Sequence, residues 1–475
     1  MLRLRSSHRP LLSYGASLWL LGLCNPMACG RSDWIVARGN ADAPSHSDSD
    51  TQQTAQPWGS YAATLDVPAC PNVSNSTLVV NTTAEDLDGG PTLSDPALAG
   101  ATLSFLEAMQ IAKNRAGGNT IYFDPAVFPV DRAATIWLSG EPPLASGQTD
   151  TCIDARNRGV ILNWGKANIS NTFSLGSGSL MVGLTLLYPG SGNYLMGGQV
   201  AGCRLATDGY STFVGPIVDV LHLANSTFGP GNVVSGSGHW GLTVAGNNGI
   251  VRENSFGYDP LTGIGLNNVE AFDAWPNTVG ARFEFEDNVF AGSNTLIYNT
   301  YNVRGVVELR RNRFGTTWAG EPLPQLASGA TPGGLRLEGN LDVTVGPGNS
   351  IRNVATAIAV ADSDDLRVRI TQNEITQNAQ GIVAVGMSGI ATLGLPPGMT
   401  WVNSAIAEGV CYAAGSIELF SDTGLQGESY LGTTPCDVGA PWHLETTMPR
   451  GRNVTAIFTD TSGRSSSFSI ALTVP

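Results

Sequence analysis

Carboxylates and arginines in this chain fall at regular offsets from a recurring asparagine. Counting back two residues from Asn254, Asn288, Asn312 and Asn340 gives Arg252, Glu286, Arg310 and Glu338, and counting back four gives Ile250, Glu284, Glu308 and Arg336. Paired carboxylates such as Glu284 with Glu286, or Glu284 with Glu308, are the acid and base that a glycosidase uses. Arg252, Arg310, Arg367 and Arg369 would suit a lyase that neutralises a uronate before removing its α-proton. A general acid, however, must keep its proton at neutral pH, and a neighbouring guanidinium works against that. The favoured reading is a solvated charged face. In it opposite signs meet on successive coils and fix the register, at about 0.2–1 kcal/mol per pair.

Other candidate chemistry is sparser. Loop aromatics Trp240, Tyr258, Trp275, Tyr298, Tyr301 and Trp318 lie near turn-like sequence in the middle of the chain, where exposed rings can stack on sugars or pack against a wall. Glu85-Asp86-Leu-Asp88-Gly89 and Asp362-Ser-Asp364-Asp365 are oxygen-rich turns, so Asp86, Asp88, Asp364 and Asp365 are candidate calcium ligands. Neither turn has the spacing of a twelve-residue calcium loop, and solvated turns are the preferred reading. Calcium apart, no cofactor is expected. Nothing matches a phosphate-binding loop, a nucleophile elbow or a serine triad. The formal net charge of −14 excludes nucleic acid and anionic lipid surfaces as partners.

The elements that must hold these residues are announced by the asparagine phrase itself. It reads Asn225-Ser-Thr-Phe228, Asn254-Ser-Phe256, Asn288-Val-Phe290 and Asn312-Arg-Phe314, with echoes at Asn340, Asn353 and Asn373. Spacings of 29, 34 and 24 residues, with constant flanking alternation, mark a solenoid whose coils carry loops of different length. Each coil is too short to bury its own apolar face and must stack on the next. The asparagines are expected to hydrogen-bond the turn and the asparagine of the neighbouring coil, with the phenylalanines stacked inward. Fifty-eight glycines, only 13% charged residues and strand-like alternation at residues 303–309 and 335–338 oppose a helical repeat.

Arg3, Arg5 and Arg9 precede an apolar run over residues 11–23, the layout of a signal peptide. Pro26-Met27-Ala28-Cys29-Gly30 resembles a bacterial lipoprotein cleavage box, which makes Cys29 a lipidation candidate beside ordinary cleavage. Residues 41–60 are polar and aperiodic, as expected of a disordered tether. Cys411 and Cys436 are close in sequence and suit a disulfide in an exported protein; the pairing of Cys70, Cys152 and Cys203 stays open.

Ser104-Phe-Leu-Glu107 reads as a capping box opening a helix through Lys113, with an apolar stripe of Phe105, Leu106, Met109 and Ala112. Leu103-Ser104-Phe105-Leu106-Glu107-Ala108 keeps the Ser, Glu and Ala of the so-called CSLREA motif. Ile121-Tyr-Phe-Asp-Pro125, residues 135–138, Pro142-Pro-Leu144 and Asn254-Ser-Phe-Gly-Tyr-Asp259 follow its usual sequel. The region 77–390 thus resembles exported bacterial right-handed parallel β-helix proteins of the pectin-lyase-like type. That resemblance implies a fold, its handedness and export, and no assigned activity. Gly238-His239-Trp240 and Asp364-Asp365 resemble the catalytic elements of pectin hydrolases in reversed order, which disfavours such a site. Residues 405–475, with Ser416-Ile-Glu-Leu-Phe420, Asn453-Val-Thr-Ala-Ile-Phe458 and Thr459-Asp460-Thr-Ser-Gly463, resemble a β-sandwich module appended to such proteins.

The expectation is an all-β chain: signal peptide 1–29, tether 30–60, right-handed parallel β-helix 61–404 with a short amino-terminal capping helix, and β-sandwich 405–475. Localisation is exported, at the outer membrane or cell surface if Cys29 carries lipid and secreted otherwise, and the only membrane contact would be that anchor. The leading function is non-catalytic recognition or display with a cell-envelope glycan. Trp240, Tyr258, Trp275, Trp318, Arg252, Glu284, Glu286, Glu308 and Arg310 are the candidate ligand-binding residues. A polysaccharide lyase or hydrolase on the outward face is the alternative.

Overall fold

Three parallel sheets run the length of the solenoid, and the chain visits them in turn. A computed structural model describes residues 62–67, 69–70, 77–88, 90, 92–115, 117–138, 150–165, 171–187, 192–207, 220–234, 243–266, 272–276, 279–292, 295–299, 304–323, 332–361, 365–385 and 393–475. Among these the sheets have eleven, ten and nine strands. One coil shows the pattern: Arg282–Glu286 lies in the first sheet, Val289–Phe290 in the second and Thr295–Asn299 in the third. The next coil repeats it with Gly305–Arg310, Arg313–Phe314 and Leu335–Gly339. All pairings between these successive coils are parallel.

The strands alternate because one face of each sheet is buried. In the first sheet Val251, Phe285, Leu309, Val345 and Ile370 lie in register and are at most 1% exposed. In the second, Val234, Phe256, Phe290, Phe314, Ile351 and Ile375 form a parallel column. Its phenylalanines stack with centroids 5.1 and 4.9 Å apart. Such contacts are worth about 0.5–1.5 kcal/mol each beyond the area they bury.

The turn between first and second sheets explains the asparagine phrase. Glu253, Asp287 and Arg311 adopt positive φ, and the residue after each is an asparagine. The Oδ1 of Asn288 accepts from the backbone N–H and Nδ2 of Asn254, and Asn288 donates in the same way to Asn312. The ladder runs Asn232, Asn254, Asn288, Asn312, Asn349, Asn373, and Cys203 donates its N–H to the first rung. Asn225, Asn340 and Asn353 are not rungs. Asn225 is exposed with φ 52°, ahead of the strand Ser226–Phe228, and Asn340 precedes a first-sheet strand in the same way. The true rungs of those coils, Asn232 and Asn349, follow identical Gly-Pro-Gly turns. A Cβ on Gly346 would come within 1.8 Å of the Thr371 carbonyl, so the turn excludes any side chain there.

Helix α1, Phe105–Asn114, begins with a capping box made by Ser104 and Glu107. Phe105, Ala108, Met109, Ile111 and Ala112 are buried, and Phe105 stacks on Phe123 of the second first-sheet strand, with centroids 6.1 Å apart. Asn119 Nδ2 donates to the Ala112 carbonyl, tying the last turn of the helix to that strand. Leu106, expected in the apolar stripe, is only partly buried.

Two antiparallel sheets follow the last coil. Gly398–Val402, Ile406–Val410 and Pro441–Glu445 form one; Gly415–Asp422, Ser429–Cys436, Asn453–Asp460 and Leu472–Thr473 form the other. They begin at Gly398, ahead of the expected residue 405. Val402, Ala407, Ile417, Leu419, Trp442, Val454 and Ala456 form a shared core. Phe420 and Ile457 instead join the core of the solenoid. Ile375 and Gly427 exchange two backbone hydrogen bonds of 2.7 Å, and Ser465 N–H donates to the Val368 carbonyl.

Candidate functional site: the charged outward face

The register brings part of the expected charge pattern together. Arg252, Glu286 and Arg310 lie opposite one another on three adjacent first-sheet strands, as do Ile250, Glu284 and Glu308. The second of these columns continues with Thr344 and Arg369 rather than with the expected Arg336. Arg336 and Glu338 belong to the third sheet, where they pair with each other at 3.1 Å. The shift follows from the rung being Asn349 rather than Asn340.

The carboxylates of this face are engaged by arginine. Arg282 reaches Glu284 at 2.9 Å and Glu308 at 2.8 Å, and Arg310 contacts both Glu286 and Glu308. Arg311 holds Asp287 at 2.8 Å and Glu286 at 3.4 Å. Its hydrogen bond to Asp287 raises the Arg311 pKa above the usual guanidinium range. Arg304 grips Asp342 with two contacts, Nε at 2.7 Å. Such exposed pairs stabilise little individually and act together to hold register. A glycosidase needs the reverse, an unpaired carboxyl in a desolvated pocket.

The one carboxyl whose pKa burial raises among the described residues is Glu418, which lies at the end of the last first-sheet strand, near Arg369. It accepts from Gln372 N–H at 2.8 Å and from the Thr371 hydroxyl, at the joint between the last coil and the terminal sheets.

The loops fold back on the second sheet. Tyr258–Asp259 and Ile264–Gly265 form a hairpin whose Tyr258 packs, buried, against Val289, Ala291 and Leu323. Tyr258 is therefore a wall residue, not an exposed sugar platform, and burial raises its hydroxyl pKa. Asp259 is fully buried and pairs with the buried Arg204 at 2.7 Å. Its other oxygen accepts from the N–H groups of Leu261 and Thr262. Trp318 sits at the tip of a second fold-back and is 36% exposed. Trp275 lies in the third-sheet strand Phe272–Pro276. The side chain of Trp275, and Trp240, His239, Tyr301, Asp364 and Cys29, lie outside the described residues. Asp365 is exposed, and the backbone carbonyl of Asp86 accepts from Ser104 Oγ. No group of three or more His, Cys, Asp or Glu positioned to hold a metal occurs among the described residues.

Cys411 and Cys436 form a disulfide, and Cys70 is joined to Cys152 across 82 residues of sequence. The second bridge pins a short segment whose Leu65 and Val67 cover the outward apolar positions Leu180, Val182 and Ala201. Cys203 is free and buried, its thiol pushed up to about 12 by desolvation. Sequence reading missed Arg204 as the partner of Asp259, and no local motif announces it. Compared with models of known protein families and with curated proteins, the chain matches none.

Proposed function

We propose that this protein is an exported right-handed parallel β-helix that works by non-catalytic recognition or display at the cell envelope, with a glycan as its ligand. Helix α1 serves as the amino-terminal cap and the two antiparallel sheets as a carboxy-terminal β-sandwich that closes the last coil. Residues 1–29 direct export, and Cys29 is the residue through which a lipid would anchor the chain. The observation that carries the non-catalytic reading is the engagement of Glu284, Glu286 and Glu308 by Arg282, Arg310 and Arg311. That arrangement supports a rigid surface and disfavours a lyase or hydrolase on the same face.

The test is incubation of the purified full chain with a panel of polysaccharides, measuring binding, new reducing ends and the ultraviolet absorbance of unsaturated uronate ends. Binding without either product is expected. Release of either product would overturn the non-catalytic reading.

A further inference from the structure

The outward face of the three-stranded antiparallel sheet differs in kind from the charged solenoid face. Across its strands Trp401 lies opposite Glu408, and Glu408 opposite His443. The neighbouring outward row is Gly398, Val410 and Pro441. Trp401 is 47% and Tyr412 64% exposed. Tyr412 leans over the second row: its hydroxyl would stand 3.4 Å, in van der Waals contact, from a Cβ placed on Gly398.

The opposite side of the sheet is firmly seated. Val402, Ala407 and Trp442 are buried in the shared core. A Cβ on Gly409 would come within 2.6 Å of the Trp442 ring, so that indole lies flush beneath the sheet. The strand that carries Trp401 is therefore seated on a packed core.

Their polar neighbours are unspent. Among the described residues neither Glu408 nor His443 makes a side-chain hydrogen bond or ion pair, in contrast to the carboxylates of the solenoid face. Facing residues across a sheet have side chains about 5 Å apart, so Glu408 and His443 offer adjacent acceptor and donor groups beside an indole. Residues 398–445 contain no Lys or Arg, while Glu408, Asp437 and Glu445 are exposed acids. An anionic polymer would be repelled here.

We infer that Trp401, Tyr412, Glu408 and His443 form a binding platform for a neutral polysaccharide. The apolar C–H face of a sugar ring stacks on the aromatic rings. Glu408 accepts from its hydroxyls and His443 bridges the next. The inference rests on the glycan reading above for the class of ligand, and moves the contact from the middle coils to the terminal module. A peptide adding to the edge strand Gly398–Val402 would use its backbone and not the rings.

The full chain is titrated calorimetrically with cellohexaose and mannohexaose as neutral probes and with hexagalacturonate as the acidic one. Trp401→Ala, Trp401→Phe, Tyr412→Ala and Trp318→Ala are compared with wild type, with melting temperatures as the check on folding. Binding of a neutral probe is expected, weakened about tenfold or more by Trp401→Ala, the scale of losing a central aromatic contact. Trp401→Phe should retain most of it, and Trp318→Ala all of it. Wild-type binding that survives both Trp401→Ala and Tyr412→Ala overturns the platform and leaves the glycan reading standing, as does loss of binding in Trp318→Ala alone. Preference for hexagalacturonate overturns the neutral class. Wild type that binds no probe overturns the platform and the glycan reading together.

Discussion

Asn312 donates its amide protons to the Phe285 carbonyl and to Asn349 Oδ1, and accepts both N–H groups of Asn288. All of these groups are shut away from water, so removing the side chain leaves several polar atoms unpaired. Asn312→Ala should destabilise the protein by about 3 kcal/mol or more, measured by urea unfolding. Asn225→Ala, outside the ladder, should cost less, about 1 kcal/mol, from placing alanine at a positive φ and losing the bond that Asn225 accepts from Asn248. Cys203 gives a second prediction at this scale. Its thiol is buried with a raised pKa, and the other four cysteines of the described region are in disulfides. A thiol reagent should leave Cys203 unmodified in the native protein and label it once urea unfolds the chain, read by intact mass.

Between elements, the joint at Glu418 carries a pH dependence. Burial raises its pKa despite the hydrogen bonds from Thr371 and Gln372 and the nearby charge of Arg369. A raised folded-state value means its contribution is fully present below the ordinary carboxylate range and is lost as pH rises through the folded value. Glu418→Gln imitates the protonated form, so its melting temperature relative to wild type should be higher at neutral pH than in acid. An equal difference at both pH values would contradict this. Much of the element pattern was legible in the sequence because alternation and the Phe256, Phe290 and Phe314 column are local signals. The capping box of α1 was legible for the same reason. Asn232 and Asn349 were hidden because Gly-Pro-Gly replaces the usual strand end before them. Arg336 and Glu338 misled because Leu335–Gly339 alternates just as a first-sheet strand does, and only the coil count assigns its sheet. Tyr258 misled for another reason: turn-like sequence does not say whether a loop stands out or lies down. Trp401 was passed over because its strand lies ahead of the boundary drawn at residue 405.

At the scale of the molecule, the solenoid has two ends and each meets a different structure. The first-sheet strand Thr77–Val80 packs beside α1, and the last coil bonds to Gly427, Ser465 and Glu418. Removing residues 393–475 would bare the edges of the final strands together with the core around Ile370 and Ile375. Open parallel edges of that kind pair with other chains. The truncated protein should elute as dimers and larger species in size-exclusion chromatography with light scattering, where the full chain does not form them by this route. A monomeric truncation would show that the terminal sheets are dispensable for closing the end.

The asparagine ladder also has a direction. Each rung passes its backbone N–H to the next and presents its oxygen to the one before, and from Asn254 to Asn349 one amide N–H runs forward as well, so these bonds share one direction along the axis. The inner rungs meet the same neighbours, and nothing among them says how many there should be. The instruction to stop comes from outside it, where Gln372, next to the last rung, gives its N–H to the carboxylate of Glu418. Coils could therefore be gained or lost by duplication without disturbing their neighbours, provided the final coil still matched that carboxylate. The length of the solenoid is a free variable for evolution, while the fit at its end is fixed.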